Sequence, residues 1–190
     1  EHLVYKMYYN LGFVWVAAGE VVFTVEEKPA TFEMKAVGKT YKSYDAFFKV
    51  SDFFQSEIDK NTMYPRRFVR IVEEGNYLRF DSLVFDQLRR KAVSFNGTSR
   101  TTTVRKNISL QDCTHDLLSA LYFLRNIDVS KYDPGEMIPT KILFDETIYP
   151  IKVRYEGKFD NFSVKGLGTF NTIKVIPDLV TGNVFKEGNM

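Results

Sequence analysis

The sequence predicts a mainly β domain of the α+β kind: a curved antiparallel sheet or open half-barrel with one main helix packed on it. Three observations lead there. Runs of period-two alternation recur along almost the whole chain, separated by Gly, Pro, Asn and Asp. Aromatic residues are abundant, with 17 Phe and 11 Tyr among 190 residues, and flat rings pack well on a pleated surface. Only one stretch combines helical periodicity with start and stop signals.

In chain order, Leu3, Tyr5, Met7 and Tyr9 alternate with Val4, Lys6 and Tyr8 and predict a first strand. Residues 13–16 and 21–25 follow, with Gly19 between them marking a bulge or a close backbone approach rather than a break. Lys28-Pro29 turns the chain into residues 31–37, where Phe32, Met34 and Ala36 share a face. These runs read as a meander. Residues 39–50 place Tyr41, Tyr44, Phe47 and Phe48 at spacings of three and four, which predicts a short helix. Strands at 54–58 and 66–72 flank the turn-rich Asp59-Lys60-Asn61-Thr62, and Pro65 belongs at the start of its strand because it lacks an N–H. Glu74-Gly75 leads into residues 77–85. Asn96-Gly97 is expected to turn 89–95 into 99–106, because both residues tolerate positive φ. The strand at 99–106 has almost no apolar face, so it is expected at an edge.

The helix is expected over 114–126, with Thr114 as N-cap, Asp116 in the first turn and Arg125 in the last. Leu117, Leu118, Leu121 and Leu124 are expected to form its buried stripe. After Asp133-Pro134-Gly135, strands are expected at 138–144, 149–155, 159–167 and 169–176, with Glu156-Gly157 as a turn.

Residues 1–190 read as a single domain, large enough to bury a core without metals or disulfides. Cys113 is the only cysteine, so no intrachain disulfide can form. No apolar run approaches the roughly 20 residues of a membrane-spanning helix. The net charge of +2 conceals an asymmetry. Between Lys60 and Lys106, eleven cations face four anions, which leaves the rest of the chain acidic. A basic middle can meet an anionic glycan or a lipid headgroup, or it can be a set of solvated strand faces.

No catalytic signature can be read from the residues. His2 and His115 are the only histidines, and the Cys113-x-His115 pair supplies two ligands where a zinc site needs four, so no metal and no cofactor are expected. The same pair lacks an orienting partner for nucleophilic catalysis. Gly166-Leu167-Gly168-Thr169 lacks the lysine and helix of a phosphate loop and reads as a kink between strands. Basic residues interleave with Phe68, Tyr77 and Phe80, yet the aromatic signature of RNA-binding sheets is missing, so nucleic acid is not an expected partner.

Three stretches carry a family resemblance. They are Tyr5 to Gly19, Phe47 to Asp59 followed by Pro65, and the helix Asp116 to Arg125, whose pattern Asp-x-x-Ser-Ala-x-Tyr-x-x-Arg is met by Asp116, Ser119, Ala120, Tyr122 and Arg125. Together they resemble an uncharacterised family of exported proteins from Bacteroides-like bacteria, a domain of unknown function. That resemblance implies a removed signal peptide, a periplasmic or outer-membrane-facing location, and a curved β fold similar to the open half-barrels of lipoprotein carriers. It also implies that the last strand or two lie beyond Met190.

The function expected on these grounds is non-catalytic: a cell-envelope protein that binds a hydrophobic or lipid-like ligand in its curved sheet. Tyr122, Arg125, Tyr77 and Phe80 are the candidate ligand-binding residues. The alternative is a structural or assembly protein whose basic strands contact anionic glycan or lipid headgroups. An arginine and a tyrosine three apart on one helix face can equally satisfy strand backbone groups.

Overall fold

In a computed structural model of the chain, residues 1–11, 14–44 and 48–178 are described. The first eight strands form one antiparallel sheet in simple chain order: β1 (His2–Leu11), β2 (Val14–Glu27), β3 (Thr31–Thr40), β4 (Ser51–Asp59), β5 (Pro65–Glu74), β6 (Tyr77–Asp86), β7 (Lys91–Gly97) and β8 (Val104–Ser109). A second sheet has the order β12-β11-β10-β9, from β9 (Thr114–His115), β10 (Met137–Phe144), β11 (Thr147–Val164) and β12 (Gly168–Asp178). Between β9 and β10 lies one α-helix, α1 (Leu117–Arg125). Both sheets are open, and the architecture is mainly β, as the sequence predicts.

Register decides which residues face the core. Pairing sets Phe23, Ala36, Phe54, Arg70 and Asp81 in one row across β2 to β6, and Val25, Met34, Ser56, Phe68 and Leu83 in the next. This is the inner face. Over its β5–β8 half sits the hairpin of β10 and β11, whose Leu143 and Ile148 join Phe68, Leu83, Phe85 and Ala92 in one cluster. Over β3 and β4 sits α1, whose Leu118 and Tyr122 pack on Met34, Ala36 and Ile58. A third cluster of Val129, Ile138, Val153 and Tyr155 lies within the second sheet and its approach.

Several turn assignments change. Asn96 and Gly97 lie inside β7, paired with Val104 and Phe80. The reversal comes after them, where the Thr102 N–H donates to the Ser99 carbonyl at 3.3 Å. Gly97 is required there for room, because a Cβ would overlap the Thr102 carbonyl oxygen. The hairpin is therefore correctly placed and its turn is not. Gly19 meets both expectations: β1 shifts register opposite it, and a Cβ would strike the Lys39 carbonyl oxygen. Glu156-Gly157 is no turn either. It is a bulge within the long β11, and Gly157 accommodates it at φ +121°. As expected, β8 ends the large sheet and exposes nearly every side chain.

The helix expected over 39–50 is replaced at its start by β3, which runs to Thr40, and by a turn over 42–44. Residues 45–47 lie outside the described residues. Around α1 the correction is physical. Its N-cap is Asp116 rather than Thr114, because the Asp116 carboxylate accepts the N–H groups of Leu118 and Ser119 while Ser119 Oγ accepts the Asp116 N–H, a complete capping box. Ser56 Oγ on β4 donates to the same carboxylate at 2.7 Å. These bonds turn Asp116 and Ser119 towards the sheet, so the buried face runs through Leu118, Ser119 and Tyr122. Of the expected leucine stripe, Leu118 is buried and Leu117 and Leu124 pack against neighbouring clusters, whereas Leu121 turns away from the core and is 43% exposed.

Candidate functional site

Among the described residues, the hairpin and α1 leave the inner face of β1 and β2 without a lid of its own. Leu3 and Tyr5 on β1 lie opposite Phe23 and Val21 on β2, and all four side chains stay half-buried or exposed. The Tyr5 ring meets Phe23 edge to face at 5.7 Å. This apolar row runs along the sheet to a cavity of about 420 Å³ beneath the C-terminal half of α1. Val25, Phe32, Met34 and Met63 line its apolar side, and Tyr122 and Arg125 line the helix side.

Strand periodicity explains the apolar wall. Phe32 and Met34 share a face with Ala36, and Val25 stands opposite Met34 in the register. Helix periodicity explains the other wall, since Tyr122 and Arg125 are one turn apart. The Arg125 guanidinium stacks 4.9 Å from the Tyr122 ring centroid and forms a bidentate pair with the Glu1 carboxylate, at 2.6 and 2.7 Å. Hydrogen bonds from Arg125 hold the Glu1 carboxyl below its usual range, and the same pairing raises Arg125. Burial, ahead of the adjacent Glu1 charge, raises the Tyr122 phenol. At this end the cavity carries a fixed ion pair over an aromatic ring, Glu27 and Asn126 add polar groups at its border, and the remaining wall is apolar.

Of the four candidate residues, the structure therefore brings Tyr122 and Arg125 to one cavity and places the other two elsewhere. Tyr77 begins β6 at the β5–β6 turn and is 55% exposed. Phe80 is buried on the outer face, opposite Ile71, with the Arg100 guanidinium 5.7 Å from its ring centroid. Sequence patterning aligns Phe32, Met34 and Ala36, but it holds no signal that Glu1 and Met63 meet beneath Tyr122, because those contacts depend on register over long separations.

A second groove, of about 890 Å³, is framed by loops around Tyr64, Phe85, Leu88 and Cys113 and shares no lining residue with the cavity under α1. Here the Tyr64 hydroxyl donates to the Cys113 thiol at 2.8 Å, and the phenol is pushed up to about 12, first by that bond. His115 does not bond the thiol. Its ring lies between Tyr64 and Phe123, and neither nitrogen has a hydrogen-bond partner. Burial pushes it down to about 4. The two residues thus do not form a nucleophile–base pair. Among the described residues no three His, Cys, Asp or Glu side chains are grouped to hold a metal ion.

The basic middle is largely neutralised by local partners. Of its eleven cations, Lys60, Arg66, Arg70, Arg79, Arg89, Arg90 and Lys106 each lie within ion-pair distance of a carboxylate. Arg70 is the most buried of them. Its Nε donates to Asp81 at 2.5 Å, it also pairs with Asp145 on the β10–β11 turn, and its guanidinium lies 4.3 Å from the Phe144 ring centroid. Arg79 joins both carboxylates, at 3.2 and 3.1 Å, so a four-charge network ties the large sheet to the small one.

Taken together, the chain is a mainly β protein with an open eight-stranded antiparallel sheet, a four-stranded sheet whose short β9 pairs parallel to β10, and a helix closing part of the larger sheet. It belongs to the family described as "Protein of unknown function (DUF3108)", which it matches over residues 4–190. No curated protein and no solved structure matches it. No helix among the described residues is long and apolar enough to cross a membrane.

Proposed function

We propose that this chain is a non-catalytic cell-envelope protein that holds a hydrophobic, lipid-like ligand along the inner face of β1–β3. One observation carries this reading: the half-exposed apolar row from Leu3 and Tyr5 through Phe23 and Val25 leads into the cavity under Tyr122. A folded chain gains by covering such a row, at roughly 25 cal/mol per Å² of apolar area removed from water. Leaving it open is a standing cost that a ligand relieves. A cavity of about 420 Å³ also falls in the usual range for small-molecule sites, roughly 300–1,000 Å³. Exported localisation is part of the proposal and rests on the sequence resemblance.

Titration with a dansylated fatty acid tests the reading. Saturable binding at one site is expected, and Val25→Asp, which sets a charge on the apolar wall, should weaken it by about tenfold or more at a temperature where circular dichroism shows the variant folded. Tyr77→Ala should leave it unchanged. The absence of saturable binding, or equal binding by Val25→Asp, would refute the proposal. The alternative of basic strands gripping an anionic glycan gains little support, since most of those cations already have carboxylate partners.

A further inference from the structure

The long hairpin of β11 and β12 reaches past the sheet that supports it. β10 pairs with β11 only as far as Arg154, whereas β12 follows β11 to Val164. Among the described residues the two strands therefore form a bare two-stranded ribbon beyond Tyr155, and nearly every side chain from Lys158 to Asn171 is exposed. Such a ribbon is marginal in water unless something covers one face.

Its faces differ. Phe162 lies opposite Phe170 and Val164 opposite Gly168, while Phe159 lies opposite Thr172. Residues 170 and 172 share a face, and the register shift between Phe159 and Phe162 keeps both phenylalanines on it. Phe159, Phe162, Val164 and Phe170 thus form one apolar strip, which leads to Leu167 at the tip, 75% exposed. Ser163, Thr169, Asn171 and Lys158 occupy the other side, where Ile173, opposite Lys158, is the one large apolar residue. Between Gly157 and Lys174 the ribbon carries Lys158, Lys165 and Lys174 against Asp160 alone, a net +2. Among the described residues neither Lys158 nor Lys165 has a carboxylate partner, and Lys165 is two residues from Leu167.

We infer that this ribbon docks the protein on an anionic lipid surface, with Leu167 and the three phenylalanines entering the headgroup–acyl boundary and the lysines meeting the headgroups. Apolar side chains at a tip ringed by cations match that boundary in both polarity and charge. A second copy of the chain is a poorer match. Lys174 on the outer strand and the bulge at Asn161, held at φ +57°, both discourage strand addition along the ribbon edge. The inference concerns residues apart from the ligand cavity and stands or falls separately.

Cosedimentation with vesicles tests it. The protein should pellet with vesicles of equal parts phosphatidylglycerol and phosphatidylcholine, much less with pure phosphatidylcholine, and less as salt rises. Lys165→Glu changes two charge units at the surface, at about fivefold each, so affinity should fall about 25-fold. The triple change Phe162→Ser, Leu167→Ser and Phe170→Ser should lower it about tenfold or more, with an unchanged circular dichroism spectrum because these side chains are exposed. Equal binding to both vesicle types would overturn the inference, as would variants that bind like the wild type. So would sedimentation equilibrium showing a dimer that the triple variant makes monomeric, since the ribbon would then serve a second copy.

Discussion

Replacing Asp81 by Ala is expected to destabilise the protein by about 3–5 kcal/mol, the usual effect of stripping one partner from a buried ion pair. Arg70 and Asp81 side chains are each only 8% exposed, and the substitution would leave the Arg70 and Arg79 guanidiniums facing a single carboxylate, the half-exposed Asp145. Urea denaturation supplies the measurement. The double change Arg70→Met with Asp81→Leu should cost far less, because no charge then stays buried without a partner. A loss below about 1 kcal/mol for Asp81→Ala would mean that water reaches the pair. Asp145 lies on the turn between β10 and β11, so the network also fixes how the small sheet sits on the large one. That placement leaves β1 and β2 uncovered among the described residues.

His115→Phe is expected to flatten the acid limb of stability. With the folded-state value depressed to about 4 from 6.5, the folded protein binds fewer protons than the unfolded chain between those values. The contribution of His115 is therefore fully present above pH 6.5 and is lost as pH falls towards 4. Between about pH 7 and about pH 4.5 the wild type should lose roughly 2–3 kcal/mol relative to the variant. Asp116 acts in the opposite sense. Burial raises it to about 6 from 3.8, so its contribution is present below 3.8 and is lost as pH rises through 6. The two windows overlap, and the wild-type profile alone would conceal both. The substitution loses no hydrogen bond, since both imidazole nitrogens lack partners. Denaturation curves at the two pH values decide the matter: parallel pH dependence in wild type and variant would show that His115 is protonated in the folded state.

These effects show where sequence reading reaches and where it stops. Alternation is local, so the strands, the shared face of Phe32, Met34 and Ala36, and the polar edge strand β8 were all legible. Turn chemistry was less decisive, because a glycine has more than one use. Gly97 and Gly157 read as turn residues, yet one makes room for a neighbouring carbonyl and the other sits in a bulge. On α1, apolarity alone misplaces Leu121. Asp116 and Ser119 point inward to complete a cap and to meet Ser56, which rotates Leu121 outward. In the cavity, Tyr122 and Arg125 belong to the helix motif that carries the family resemblance, and their spacing sets them one turn apart. Their partners Glu1, Val25 and Met63 come from distant strands and a turn, and no local pattern links them.

The claim that the inner face of β1–β3 holds the ligand is tested most directly by where a ligand binds. A diazirine-bearing fatty acid, irradiated with the protein and mapped by peptide mass spectrometry, should label Phe23, Val25, Phe32 and Met34 on the strands together with Tyr122 on α1. An excess of unmodified fatty acid should suppress those adducts. Labelling concentrated instead on the outer face, at Phe53, Ile71 and Phe95, or around Tyr64 and Leu88, with no adducts beneath Tyr122, would contradict the account.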